Sequence, residues 1–399
     1  MSKIAIFNIG AYGHIHPTLG MTEELVRRGH DVLYAATAEF SSLVASTGAR
    51  VLEYESEFGK EAPSVANFRQ NFARFPLRLL GEASQVLPQI LERLEHFDPD
   101  LVVYDPMCTV GMLVAEILSK RAVTIYPSYA SNSEFSVTKA ANLPMATDLI
   151  KAEFERLAEA IAVDHGIKAP TIADVCWRAE ALNIVFVPYQ FHPASDTFDD
   201  RYVFVGPGFR ERDEDFRWTP SSKPRHQRLF VSLGTVFNNW PEFFAMVGEA
   251  FGGTEWEVIM AIGRHLSPED LGSLPDNIKI KPYWPQLEIL PHCAAAVIHA
   301  GMGSTMEALS FGLPIVAIPQ MSEQEVTANR LAELGLGVVI TREQTTARSL
   351  VDAVTKVTGD KELASRVHEM QQRLDPTRNA RGYILAANAI EDLLDLASA

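Results

Sequence analysis

The chain has 399 residues, room for two domains of ordinary size, and the apolar (47%) and charged (22%) fractions of a soluble globular protein. A formal charge of −16 argues against a nucleic-acid or anionic-membrane partner, although a helix N-terminus can still hold a small anion locally. Three widely spaced cysteines (Cys108, Cys176, Cys293) make neither a disulfide framework nor a zinc pattern, which fits a reducing cytoplasm.

The opening MSKIAIFNIG has too short an apolar run for a secretory signal. Apolar strands then alternate with amphipathic helices. Strands are expected at Ile4–Asn8, Asp31–Ala36, Arg50–Tyr54, Leu101–Asp105 and Val123–Tyr126, with a helix at Leu77–Phe97. Another is expected at Pro17–Arg28, where the proline takes a favoured first-turn position. This alternation implies a parallel, doubly wound sheet. The apolar stretch Leu101–Leu118 is split by Asp105-Pro106 into strand and helix, so it is not read as a membrane span. Strands at Ile184–Pro188 and Tyr202–Gly206 complete a first domain over residues 1–207. Residues 208–227 are polar, charged and proline-containing, and read as a linker. A second alternation fills 228–380, with strands at Leu229–Leu233, Trp256–Ile262, Ile278–Pro282, Ala295–Ile298, Ile315–Ile318 and Val338–Ile340 and a helix near Trp240–Phe251. The remainder, 381–399, holds an amphipathic segment, Gly382–Leu396. The expected fold class is α/β: two Rossmann-like doubly wound domains facing a central cleft.

Residues 283–324 carry the most chemistry. After the strand at Ala295–Ile298 come His299, the small-residue turn Gly301-Met302-Gly303-Ser304, and a helix bearing Glu307. Such a turn points unpaired N–H groups from the positive end of a helix dipole, which binds phosphate without a metal. Ser304 adds a hydroxyl donor, and His299 a donor or a positive charge. Glu307 can accept from a ribose diol, and Trp284 offers a flat face to a base. Glu323-Gln324 follows the next strand. A Gly-x-Gly turn alone is common in α/β loops, and Met306 breaks the dinucleotide fingerprint. The whole ordered set is what suits a nucleotide diphosphate joined to something polyhydroxylated.

In the first half, strand one runs into Gly10-Ala11-Tyr12-Gly13-His14-Ile15-His16-Pro17, and strand four into Tyr104-Asp105-Pro106. In the usual doubly wound order these strands are neighbours, and the crevice lies beyond their carboxyl ends. His14 and Asp105 are therefore expected in one place, as an imidazole oriented by a carboxylate and able to take a proton from a hydroxyl. His16, next to Pro17, reads as structural, and Asp105 taken alone would read as a helix cap. Asp98-Pro99-Asp100 and Asp213-Glu214-Asp215 match an Asp-x-Asp metal motif only superficially, and no metal is expected. Phe58, Phe68, Phe72, Phe75, Met107 and Phe135 are candidates for an apolar acceptor pocket.

These segments together (GAYGHIHPTLG, SLGTVFNNWPEF, WPQLEIL, HAGMGSTMEAL, PQMSEQEVTANRLAELGLG) resemble the family 1 nucleotide-sugar glycosyltransferases of the GT-B fold, within them the bacterial macrolide group. The resemblance runs nearly end to end. It implies an inverting transfer of a sugar, with glucose the expected one, from a UDP-sugar to a hydroxyl of a lipophilic small molecule such as a macrolide or phenolic, with no further cofactor. By position, it makes His14 the general base and Asp105 its partner. Thr235, His299, Gly303 and Ser304 would hold the diphosphate, Gln286 and Glu307 the nucleoside, and Glu323 and Gln324 sugar hydroxyls. It also implies that the C-terminal helix crosses back to the first domain. Three positions depart from the family pattern: Glu323 for an aspartate, and Thr327 and Gly303 for asparagines. A monomer or weak dimer in the cytoplasm is expected, without nucleic acid or membrane insertion. Two alternatives stay open on the residues alone: a nucleotide-sugar epimerase on the same fold, and a non-catalytic nucleotide-sugar sensor.

Overall fold

A computed structural model describes residues 1–57, 71–210, 218–236, 238–374 and 381–396. They form two compact units: 1–57, 71–210 and 381–396 in one, 218–374 in the other.

The first unit is built on a seven-stranded parallel sheet of order β3-β2-β1-β4-β5-β6-β7. Its strands are β1 (Lys3–Phe7), β2 (Asp31–Ala36), β3 (Arg50–Glu53), β4 (Leu101–Tyr104), β5 (Arg121–Tyr126), β6 (Leu182–Val185) and β7 (Tyr202–Phe204). The central strands are apolar throughout because both faces are covered, and alternate residues enter different cores. Ala5, Phe7, Val102 and Tyr104 pack on one side, Ile4, Ile6, Leu101 and Val103 on the other. The helices are α1 (Tyr12–Arg27), α2 (Ala38–Ala45), α3 (Phe75–Leu94), α4 (Thr109–Ile117), α5 (Val137–Ala140), α6 (Asp148–His165) and α7 (Ile172–Trp177).

The start of α1 differs from expectation. The helix begins at Tyr12, five residues before Pro17, which lies inside it and not in its first turn. An internal proline removes one helical hydrogen bond. Asn8, just after β1, holds this turn separately: its Nδ2 donates to the His14 carbonyl at 3.0 Å. Thr18 Oγ1 donates to the Ile15 carbonyl at 2.8 Å. His14 is thus a first-turn helix residue, not a loop residue.

The second unit has a six-stranded parallel sheet of order β10-β9-β8-β11-β12-β13. The strands are β8 (Arg228–Ser232), β9 (Glu257–Ala261), β10 (Ile278–Lys281), β11 (Ala295–Ile298), β12 (Ile315–Ala317) and β13 (Gly337–Val339). Its helices are α8 (Pro241–Phe251), α9 (Gln286–Ile289), α10 (Met302–Ser310), α11 (Ser322–Glu333), α12 (Ala347–Gly359) and α13 (Lys361–Leu374). The last helix, α14 (Gly382–Asp395), belongs to the first unit and packs on α1. Gly20 makes that approach possible, since a Cβ there would lie 3.0 Å from the Tyr383 ring. Glu391 reaches back to Arg28 and, at 3.0 Å, to His30. No helix among the described residues is long and apolar enough to cross a membrane.

Candidate active site

β1 and β4 pair in the register Phe7 to Tyr104, so the chain leaves both strands side by side where the strand order reverses. Asp105 follows β4 directly and is fully buried, its N–H donating to the Phe7 carbonyl at 3.0 Å. Oδ1 accepts the Met107 N–H at 2.7 Å, and Oδ2 lies 2.6 Å from His14 Nδ1. The His14 side chain keeps 21% of its surface in solvent. A carboxylate at Nδ1 fixes the proton on that nitrogen and leaves Nε2 as the basic one. The first turn of α1 is pinned as well. Asn8 bonds the Tyr34 hydroxyl at 3.2 Å, and that hydroxyl meets Thr18 Oγ1 at 2.9 Å. Burial drives the Tyr34 hydroxyl well above the usual phenol range, so it stays protonated.

A small pocket opens at the carboxyl ends of β1, β3 and β4, and its lining includes Met107, two residues after Asp105, but neither Asp105 nor His14. Ile9, Leu79, Met107 and Val110 give it apolar walls, with Glu82 and Ser56 hydrogen-bonded to each other at its edge. Thr109 also lines it; its hydroxyl is buried and has no hydrogen-bond partner among the described residues. Of the expected acceptor-pocket residues, Met107 is here. Phe72 and Phe75 stack on each other at the start of α3, 5.4 Å between centroids, and are not among its lining residues. Phe135 is 8% exposed and sits edge-on to Tyr129 and His192 in an aromatic cluster. Phe58 and Phe68 lie outside the described residues.

The second unit repeats the device. β8 and β11 pair in the register Ser232 to Ile298 at its own reversal of strand order, so the loops after them emerge together. The His299 ring lies between two glycines. A Cβ at Gly234 (φ +79°) would sit 2.5 Å from Nε2, and one at Gly301 2.3 Å from it. Ala300 between His299 and Gly301 has φ +59°, a strained value for a residue with a side chain. Burial pulls the His299 imidazole down to about 4, against a weaker upward pull from the Ser232 backbone. At neutral pH this ring is therefore neutral, which leaves the donor of the two roles expected and removes the positive charge.

Gly301 is the N-cap of α10 with no side-chain cap, leaving the first-turn N–H groups to be satisfied from outside the helix. Gly303 is exposed and Ser304 half-buried in that turn, with Glu307, 5% exposed, one turn on. Thr235 stands exposed after β8, and Gln286 opens α9 after β10. Glu323 and Gln324 occupy the first turn of α11 after β12. The expected donor-side residues are thus gathered at the carboxyl ends of the strands of one sheet. Trp284 differs: its indole is 7% exposed, donates to the Met260 carbonyl at 3.1 Å, and has the Lys281 ammonium 4.5 Å from its ring centre. Most of the ring expected to offer a flat face to a base is buried. Thr327 is buried, its hydroxyl bonded to the Glu323 carbonyl at 3.2 Å.

Of the Asp-x-Asp matches, Asp98 pairs with Lys120 at 2.7 Å and Asp100 accepts the Lys3 N–H at 2.7 Å, at the start of β4 and away from His14. Asp213 to Asp215 lie outside the described residues. Among the described residues, no group of three or more His, Cys, Asp or Glu could hold a metal. Sequence reasoning missed Glu82, Ser56 and Thr109, which need the fold to be brought to Met107.

Comparison with known proteins gives a consistent picture. A family profile described as erythromycin biosynthesis protein CIII-like, C-terminal domain, matches residues 246–378. The chain is 40% identical over 395 residues to the NDP-glycosyltransferase YjiC of Bacillus licheniformis, covering 98% of this chain and 97% of that one. It is 32% identical over 410 residues to the demethyllactenocin mycarosyltransferase of Streptomyces fradiae, covering 100% and 88%. Among solved structures it is similar to the calicheamicin glycosyltransferase CalG4, with a TM-score of 0.84, 32% identity, and coverage of 99% and 98%. Nothing in these relatives supports the epimerase or sensor alternatives.

Proposed function

Because this chain belongs to the family 1 glycosyltransferases of the macrolide and NDP-sugar type and has their GT-B fold, we propose that it is an inverting, metal-independent transferase. It moves glucose from UDP-glucose to a hydroxyl of a lipophilic small molecule. The observation that carries the mechanism is the 2.6 Å contact between His14 Nδ1 and the buried Asp105 carboxylate. The acceptor hydroxyl gives its proton to His14 Nε2 as its oxygen attacks the sugar C1. The C1–O bond to the diphosphate breaks on the opposite face, and UDP leaves with the electron pair. Asp105 stabilises the imidazolium formed at His14.

Charge on the departing diphosphate falls on the N–H groups at the start of α10, helped by the Ser304 and Thr235 hydroxyls. Neutral His299 donates a hydrogen bond without the desolvation cost of a buried cation. Gln286 and Glu307 hold the nucleoside, and Glu323 and Gln324 the sugar hydroxyls. The acceptor body takes the apolar walls beside Met107, and Glu82, Ser56 and Thr109 favour one that carries a second hydroxyl.

The test is a mass-spectrometric screen of phenolic and macrolide acceptors against UDP-glucose, dTDP-glucose and UDP-galactose, on the wild type and on His14→Ala. Glucosyl transfer from UDP-glucose that His14→Ala abolishes, with UDP binding intact by calorimetry, supports the assignment. Transfer that survives His14→Ala sinks the mechanism.

A further inference from the structure

We propose that Arg342 is a positioning residue for the donor sugar, acting through Gln320 on Gln324. This rests on the reading that Glu323 and Gln324 hold sugar hydroxyls, and every link in it lies within the second unit.

The Arg342 guanidinium sits 4.0 Å from the centre of the Trp240 ring, a cation–π distance that fixes its plane. Nη1 donates to Gln320 Oε1 at 3.0 Å. Gln320 Nε2 donates to the Ile318 carbonyl at 3.0 Å, so both ends of this amide are held and its orientation is set. Gln320 is 4% exposed. Its backbone N–H donates at 2.8 Å to Gln324 Oε1. A backbone N–H can only donate, so the atom facing it has to be the Gln324 oxygen, which removes the usual ambiguity of a side-chain amide. The planar amide then sends Nε2 the other way, as a donor.

Glu323 and Gln324 therefore differ in kind. A carboxylate accepts from a sugar hydroxyl, and Gln324 donates to a sugar oxygen. That pairing reads two neighbouring hydroxyls in a fixed sense, one as donor and one as acceptor. Without the brace, Gln320 loses the partner at Oε1, the backbone between β12 and α11 loosens, and the N–H that orients the Gln324 amide shifts with it. Arg342 thus sets sugar discrimination without itself contacting the donor.

The experiment compares Arg342→Met, Gln320→Leu, their double variant and Gln324→Ala in the full chain, measuring UDP-glucose and UDP-galactose kinetics, UDP inhibition and thermal stability. Arg342→Met should raise the KM for UDP-glucose about tenfold, the order lost when an orienting partner is removed. The preference for UDP-glucose over UDP-galactose should narrow, with UDP inhibition unchanged. Gln320→Leu should match it, and the double variant should add nothing, because both act on one amide. Arg342→Lys, which keeps the charge and can still reach Gln320, should recover part of the loss. A parallel rise in the UDP inhibition constant, or additive losses in the double variant, would overturn the brace in favour of general destabilisation. Should Gln324→Ala leave the UDP-glucose KM unchanged, the sugar-site reading itself falls; should Gln324→Ala raise it while Arg342→Met does not, only the brace falls.

Discussion

Replacing Asp105 by asparagine changes one atom and leaves shape intact, so its effect can be worked out from the two contacts of that carboxylate. Oδ2 faces His14 Nδ1 at 2.6 Å and Oδ1 accepts the Met107 N–H at 2.7 Å, so the native group accepts on both sides. An amide can accept on only one. If its oxygen stays with Met107, its NH2 faces Nδ1, the imidazole proton shifts to Nε2, and the nitrogen meant to take the acceptor's proton is already occupied. If the oxygen turns to His14, two N–H groups meet at Met107 in a fully buried site. The first arrangement should lower kcat about 10³–10⁴-fold, on the order of 4–5 kcal/mol, as expected when a base is held in the wrong tautomer. The second keeps the proton on Nδ1 but sets two donors face to face at Met107, at a cost of roughly 1.5–3 kcal/mol, so the first is the one expected. The assay is initial-rate UDP release at saturating donor and acceptor, with UDP affinity by calorimetry and stability by urea titration on the same preparations. A variant that keeps more than about a tenth of wild-type kcat, well short of that loss, would refute the tautomer argument.

Three more perturbations of the site have definite expected outcomes. Gly234→Ala places a Cβ 2.5 Å from the His299 ring at φ +79°, so it should cost about 1–2 kcal/mol of stability and weaken UDP binding in calorimetry. The His299 ring, depressed from 6.5 to about 4, contributes stability that is fully present above pH 6.5 and drains away as the pH falls towards 4. Urea titrations across that window should show a loss of up to about 3 kcal/mol from this group, absent in His299→Gln. Glu82→Leu should raise the KM of dihydroxylated acceptors about tenfold, worth one lost hydrogen bond to a charged group, and leave monohydroxylated ones alone. An equal change for both acceptor classes would take Glu82 out of acceptor recognition.

How far the site can be read from the chain depends on whether a residue's role is local. Each expected strand is present, most within two residues, because buried parallel strands are short apolar runs bounded by turns. Asp105 is legible because it follows such a run directly and precedes a proline. The helical setting of His14 is not: Tyr12 to His16 shows no apolar period, and Pro17 imitates a helix start while the true start is held by Asn8, just after β1. The charge of His299 and the inward turn of Trp284 depend on burial, which no local pattern reveals. Gly234 reads as a turn glycine until β8 is known to lie beside β11, and Arg342 is 22 positions from the Gln320 it holds.

On the proposed mechanism, the two histidines draw opposite chemistry from the same side chain on one fold used twice. Both follow a strand at the reversal point of a parallel sheet, where loops meet without competing for hydrogen bonds inside the sheet. His14 is given a buried carboxylate and a partly open ring, so a proton arriving from the acceptor finds its charge already compensated. His299 is packed between two glycines, and desolvation outweighs the pull of the Ser232 backbone and keeps the ring neutral. A base has to gain a proton during the reaction, whereas a donor to a leaving diphosphate has only to keep the one it has. Exchanging the environments would disable both: a charged His299 would hold UDP after transfer, and a desolvated His14 could not accept the acceptor's proton. On that mechanism the division of labour lies in what packs around each ring: the glycines at 234 and 301 would act through His299 as the carboxylate at 105 would through His14.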